Sequence, residues 1–379
     1  MSVWDELVGQ DHVVEVLRRA VADPRAMTHA WLFTGPPGSG RSVAARAFAA
    51  ALQCEESPPG CGTCKSCRLA MSGSHPDVTS VSTEKVIIDI REVRELVATA
   101  ARSASRGRWR VVIVEDADRM VERTSNVLLK SIEEPPPHTV WLLCAPSPDD
   151  VVVTIRSRCR GVTLRIPPVE AVADLLVRRD GVDPASAVVA ARAAQSHVGM
   201  ARRLATDAAA RDRRRRLLAI PSSIRGVGDA VLEAAALVDD ATAEARDVAA
   251  RRDEAERGEL LRTLGVGEGP LPPAVRAQVR QLEDQQKKRA TRVQRDALDR
   301  AMLDLLAFYR DVLAVQLGSD VELVNADVAD AVRDLAARST PEQTLRRMDA
   351  IGEARTRLAG NVAPLLAVEA MLVALRPQA

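Results

Sequence analysis

Three stretches of the chain are apolar at every position: Trp31–Phe33, Val111–Val114 and Val140–Cys144. Short uninterrupted runs of this kind, above all the β-branched Val111–Val114, are the mark of parallel strands covered on both faces. Val162–Ile166 reads as a further strand, and Asp77–Val81 and Val86–Ile88 as short strands or strand ends. Between them the spacing changes to that of amphipathic helices, at Asp11–Ala22, Ile90–Ala101 and Asn126–Glu134, the last stopped by Pro135–Pro137. Gly9-Gln10-Asp11 reads as a turn that caps the first helix. Strands alternating with helices predict an α/β domain with a largely parallel sheet, ending near residue 166.

Pro167–Pro168 marks the boundary, followed by helices at Val169–Arg179 and Ala185–Ala205. Beyond about residue 228 the pattern is wholly helical: Asp229–Arg251, Pro273–Lys288, Ala290–Leu317, Asn325–Ala337, Pro341–Leu358 and Val362–Leu375. Gly265–Pro270 is the clear break in its first part. Three domains are expected, at 1–166, 167–228 and 229–379. A chain of 379 residues is too long for one ordinary core, which agrees.

Composition narrows the function classes. No run of eighteen apolar residues exists, and the N-terminal stretch lacks a basic segment leading into an apolar one. A cytoplasmic protein with no membrane span is expected. The net charge of +1 does not mark a nucleic-acid binder. Only five of the 53 basic residues are lysine, so clusters such as Arg213–Arg216 reflect a general preference for arginine before they signal binding. Aromatics at 2% leave little for base stacking.

Two motifs carry chemistry. In WLFTGPPGSGRS the glycines Gly35, Gly38 and Gly40, with Ser39 and Ser42, have the strand–loop–helix order of a phosphate-binding loop. Arg41 stands where that loop carries lysine. A wide, planar guanidinium is not equivalent to an ammonium, so the loop either binds nucleotide or has kept its shape without it and is occupied by Arg41 itself or by a stray anion. Glu115 and Asp116, ending the Val111–Val114 run, are placed to hold magnesium or orient water, or are a solvated strand-end pair. In CEESPPGCGTCKSC the thiols of Cys54, Cys61, Cys64 and Cys67 have a spacing that suits tetrahedral zinc in a closed, structural site; the alternative is free thiols on a loop. Cys144 is expected to be a buried core thiol.

Taken in order, HAWLFTGPPGSGRS, the four cysteines, the acid pair, NVLLKSIEEPPPHT and TIRSRC resemble the bacterial clamp-loader AAA+ subunits, the gamma/tau and delta' proteins of the DNA polymerase III holoenzyme. The resemblance implies an α/β AAA+ domain, with a RecA-like parallel sheet and zinc insert, then a small helical lid domain and an all-α C-terminal collar. It also implies a hetero-pentamer with gamma/tau and delta subunits, acting on a sliding clamp and primer-template DNA. Arg41, the reversed acid order Glu115-Asp116, and Ala145-Pro146 in place of sensor threonines resemble delta' rather than an active subunit. On that reading Arg158 of Ser157-Arg158-Cys159 is an arginine finger for a neighbour's ATP, and the chain hydrolyses little or none itself. The alternative is an ATP-hydrolysing gamma/tau-like subunit using ATP and Mg²⁺. Arg202 aligns with the family's sensor position, or lies on a solvated helix face. Arg91 and Arg94 fall on the helix that faces DNA phosphate in the family, or on an outer charged face.

Overall fold

The computed structural model describes residues 2–82, 88–105, 108–263, 273–360 and 362–377. They fall into two compact units, Met1–Thr206 and Asp207–Ala379.

In the first unit five parallel strands, β1 (Ala30–Thr34), β2 (Val78–Val81), β3 (Arg110–Val114), β4 (Thr139–Ala145) and β5 (Arg160–Thr163), lie in the order β2-β3-β4-β1-β5. The register places Leu32 beside Leu143, Ile113 beside Leu142 and Phe33 beside Val162. Successive side chains point to opposite faces, and both faces are covered. Trp31, Phe33, Ile113, Leu142 and Cys144 pack with α1 (Asp11–Ala22) and the alanine-rich α2 (Arg41–Leu52), where Phe48 meets Trp31 edge-on at 5.0 Å. Leu32, Val112, Trp141 and Leu143 pack on the other face with α4 (Ile90–Ala100), α5 (Glu122–Glu133) and α6 (Val153–Arg156). The short α3 (Lys65–Met71) sits between these within the cysteine segment. Burial on both sides is why the central strands tolerate no polar alternation.

Two local expectations change. The last strand is Arg160–Thr163, not Val162–Ile166. Beyond it the chain is taken up by Gln10, whose amide accepts from Arg165 N–H (3.1 Å) and donates to Arg165 O (2.6 Å). Gln10 precedes α1 but makes no side-chain cap; at 1% exposure its amide is spent on Arg165 instead. Of Val86–Ile88, residues 86 and 87 lie outside the described residues, and Ile88 is buried but not in a strand.

Helices α7 (Val169–Asp180), α8 (Pro184–Ala193) and α9 (Val198–Thr206) complete the first unit. The expected helix Ala185–Ala205 is therefore two. Gln195 and Ser196 have φ of 48° and 62°, and Ser196 N–H reaches back to Ala191 O at 2.9 Å, ending α8 in the manner of a Schellman turn.

The second unit contains α10 (Ala208–Ser223), α11 (Val227–Thr263), α12 (Pro273–Gln316), α13 (Ala329–Arg338), α14 (Pro341–Ala359) and α15 (Pro364–Leu375). Its core is built on Leu298, Met302, Leu305, Phe308, Tyr309, Ile351, Met371 and Leu372. The expected break between Lys288 and Ala290 is absent. Buried Arg289 lies inside a continuous α12, clamped by Asp253 (2.6 Å) and Glu256 (2.6 and 2.9 Å) from α11. Gly265–Pro270 and Asn361 lie outside the described residues. Arg213–Arg216 is not a free basic patch: Arg214 is buried against Asn325, Asp304 and Asp327, while Arg215 and Arg216 pair with Asp212 and Asp240. In α15, Val368, Met371 and Leu372 are buried and Leu366 is 61% exposed.

Candidate functional site

The turn from β1 into α2 has the backbone of an anion cradle. Gly35, Gly38 and Gly40 all have positive φ (150°, 85° and 93°), and Gly40 opens α2. Only glycine fits at two of these places. A Cβ on Gly35 would lie 2.6 Å from Leu164 O, and one on Gly38 would lie 2.7 Å from His197 Cγ. The loop is tied into the sheet by Gly35 N–H donating to Pro146 O (3.1 Å) and by Gln10 donating to Ser39 O (3.4 Å).

The loop is also filled from within. Arg41 Nη1 donates to Gly35 O at 2.6 Å, so the guanidinium folds back across the turn instead of pointing away from it. Ser39 is buried, and its Oγ has no hydrogen-bond partner among the described residues. Ser42 is half-buried on the first turn of α2. His197, thrown forward by the left-handed Gln195 and Ser196, rests on Gly38.

At the end of β3, Glu115 accepts from Ser80 Oγ (3.0 Å) and pairs with Arg46 of α2 (3.3 Å). Asp116 faces Arg119 at 3.8 Å. The neighbouring Asp118 carboxyl is held above its ordinary range by burial and by the charge of Asp116. Cys144 is pushed up to about 12, by burial first and then by the Glu115 charge. The loop and the acid pair thus share the C-terminal edge of the sheet, but the acids are already met by arginines, a poor start for a cation site.

Arg158 follows α6. Its Nη1 donates to Thr154 O (2.8 Å) and Ser157 Oγ (3.3 Å), and its Nη2 lies 2.6 Å from Glu133 Oε1 at the end of α5. The two charged groups are 40% and 43% exposed. Arg202 of α9 pairs with Asp180 at 2.9 Å, which also takes Arg179. Arg91 and Arg94 are exposed on the first turns of α4, behind the capping box of Asp89 and Glu92.

The sulfur atoms of Cys54, Cys61, Cys64 and Cys67 all lie within 4.8 Å of one another. Cys54 Sγ is 3.7 Å from Cys61 Sγ and 4.0 Å from Cys64 Sγ. Metal–sulfur bonds of about 2.3 Å in a tetrahedron put sulfurs about 3.8 Å apart, so the set fits an ion such as zinc. Backbone N–H groups of Cys64 and Cys67 point at Cys61 and Cys64 sulfur (3.3 and 3.4 Å), orienting the ligands. The Cys61 thiol is drawn down to about 6 by hydrogen bonds from Thr63 and Cys64, while burial pushes Cys67 up. The module docks on the start of the chain: Val3 N–H donates to Gly60 O (3.0 Å) and Trp4 Nε1 to Pro59 O (3.4 Å).

Residues 9–168 match the family described as DNA polymerase III, delta subunit. This segment belongs to the DNA polymerase III clamp-loader family, of delta' or gamma/tau type. The delta' subunit of Pseudomonas aeruginosa is 37% identical over 164 residues, which cover 42% of this chain and 50% of that one. The tau subunit of Bacillus subtilis is 32% identical over 161 residues, covering 41% and 28%. The chain thus spans half or less of the length of these relatives. A DNA polymerase III gamma subunit-related protein of Thermotoga maritima, known from its crystal structure, aligns over 96% of this chain and 98% of its own at 14% identity, with a TM-score of 0.40. Within this clamp-loader segment, Gln10, Arg46, Ser80, Glu133 and, beyond it, His197 were not legible as site residues. Each acts through a long-range contact that no local spacing encodes, although Glu133 lies in the quoted SIEEPP motif. No helix among the described residues is long and apolar enough to cross a membrane.

Proposed function

We propose that this chain is the delta'-type subunit of the DNA polymerase III clamp loader, a ring component that offers Arg158 to a neighbouring subunit's ATP and turns over little or none itself. The observation that carries this reading is the 2.6 Å contact of Arg41 with Gly35 O: the loop's own side chain stands in the anion cradle. Arginines on Glu115 and beside Asp116 support it, since a magnesium ion there would compete with fixed cations. Arg158, by contrast, is at the surface and bound only by exposed groups, and exposed ion pairs of that kind are worth at most about 1 kcal/mol. A phosphate on an adjoining protomer exchanges readily for Glu133. Fingers of this type contribute roughly 10³–10⁵ in rate elsewhere.

In this reading Cys54, Cys61, Cys64 and Cys67 hold a structural zinc ion, and gamma/tau and delta subunits complete the ring that places a sliding clamp on primer-template DNA. Arg91 and Arg94 contact DNA phosphate without reading sequence. The second reading, an ATP-hydrolysing gamma/tau-like subunit, draws on the intact loop glycines and on the tau relative. Measured turnover separates the two. The isolated chain, with primed DNA and clamp present, is expected to show no ATPase above background, and turnover at ordinary ATPase rates excludes the delta' role. Arg158→Ala in an otherwise wild-type loader is expected to lower complex ATPase and clamp loading; an unchanged rate removes the finger.

A further inference from the structure

We infer that Glu133 is a positioning residue for Arg158, an inference that rests on the finger reading above. The guanidinium carries five N–H donors. Nη1 donates to Thr154 O and Ser157 Oγ, and Nη2 forms an ion pair with Glu133 Oε1 at 2.6 Å. Nε–H meets no acceptor among the described residues, and the side chain is 40% exposed. The group is therefore fixed at one end and open at the other, as a donor for an incoming phosphate must be.

The two anchors come from different elements. Thr154 and Ser157 belong to α6 and its C-terminal turn, in sequence contact with Arg158 itself. Glu133 ends α5, one residue after Ile132 and a turn after Leu128, both fully buried under the sheet. The carboxylate thus refers the arginine to the rigid core, whereas the α6 contacts refer it only to its own short segment. Without Glu133 the long side chain regains rotamers that it must lose again each time the neighbour's phosphate is engaged. Arginine carries enough rotamer freedom that full loss of this ordering has a ceiling of about 30-fold in rate, and partial loss about 3- to 10-fold.

The test is ATP turnover by the reconstituted loader, comparing wild type, Glu133→Ala, Glu133→Gln, Arg158→Ala and the double variant Glu133→Ala/Arg158→Ala. Glu133→Ala is expected to lower kcat about 3- to 10-fold with the KM for ATP unchanged. Glu133→Gln, whose amide oxygen still accepts, is expected to keep most of the rate. In the Arg158→Ala background Glu133→Ala is expected to cost nothing further, since its effect passes through the guanidinium. If Arg158→Ala lowers the rate while Glu133→Ala leaves it unchanged or raises it, the positioning role is overturned and the finger stands; a rise identifies Glu133 as a brake. A further loss in the double variant assigns Glu133 a merely structural role. If Arg158→Ala has no effect, the finger reading fails and takes this inference with it.

Discussion

Stripping the zinc ion proposed for the four-cysteine module is expected to loosen the beginning of the chain as well as the cysteine loop. Val3, Trp4 and Leu7 are almost fully buried in the cluster that includes α2, and Val3 and Trp4 are also bonded to the Pro59-Gly60 stretch. A large apolar side chain is worth about 1.5–3 kcal/mol when fully buried, so the three together amount to roughly 5–9 kcal/mol. If the loop supplies half of that cover, its collapse costs about 2–4 kcal/mol. For a unit of this size each kcal/mol moves the melting temperature by about 2–4 °C, giving a fall of about 5–15 °C. The assay is calorimetry of wild type before and after chelation, beside Cys61→Ser, with metal content measured by atomic emission. Wild type is expected to carry one equivalent of zinc, and the variant to lose it and melt early. A metal-free wild type that melts within about 1 °C of the loaded protein would refute the reasoning, because the cysteine segment would then not be holding Val3 and Trp4 in place.

Arg41→Lys removes the contact with Gly35 O and is expected to raise affinity for a fluorescent ATP analogue at least about tenfold, a gain of about 1.4 kcal/mol, while hydrolysis stays absent because Arg46 and Ser80 still hold Glu115. Gly38→Ala forces φ of +85° on an L-residue and drives its Cβ into His197; a loss of about 1–2 kcal/mol is expected in denaturant melts, of which His197→Ala relieves only the ring's part, since the Cβ of residue 197 itself stands 2.8 Å from the added methyl. Burial raises the Asp304 carboxyl to about 6 despite Arg214, so the folded helical unit binds a proton that the unfolded chain has released between about pH 4 and 6. Its stability is therefore expected to fall as pH rises through that window and then level off, and Asp304→Asn to flatten the slope; an unchanged slope counts against the assignment.

The parts that the sequence made legible are those in which neighbours along the chain do the same job. β1, β3 and β4 each bury every residue, and an unbroken apolar run can say so. The glycines of the phosphate loop and the cysteine spacing are equally local. What stayed hidden depends on partners far away in sequence. Gln10 reads as a helix cap until Arg165 is seen beside it, and that same pairing shortens β5. Gln195 and Ser196 turn left-handed without a glycine or asparagine to announce it. Arg289 follows a polar run, Glu283 to Lys288, with nothing local to mark it as buried, and so reads as a helix end, when Asp253 and Glu256 make it a buried member of one long helix. Arg41, visible as a departure, gave no hint that it bends back on the turn it follows.

That clamp on Arg289 works as an index mark between α11 and α12. Two long helices of mixed, alanine-rich surface offer many nearly equivalent alignments. Sliding α12 by one turn brings Val293 opposite Asp253 and Glu256 and breaks the contacts that both carboxylates make with the Arg289 guanidinium. Breaking such a buried group costs about 3–5 kcal/mol, more than a shifted set of small apolar contacts returns. The two helices are thereby locked in one alignment, and every pair of side chains that meets between them inherits its register from that single cation.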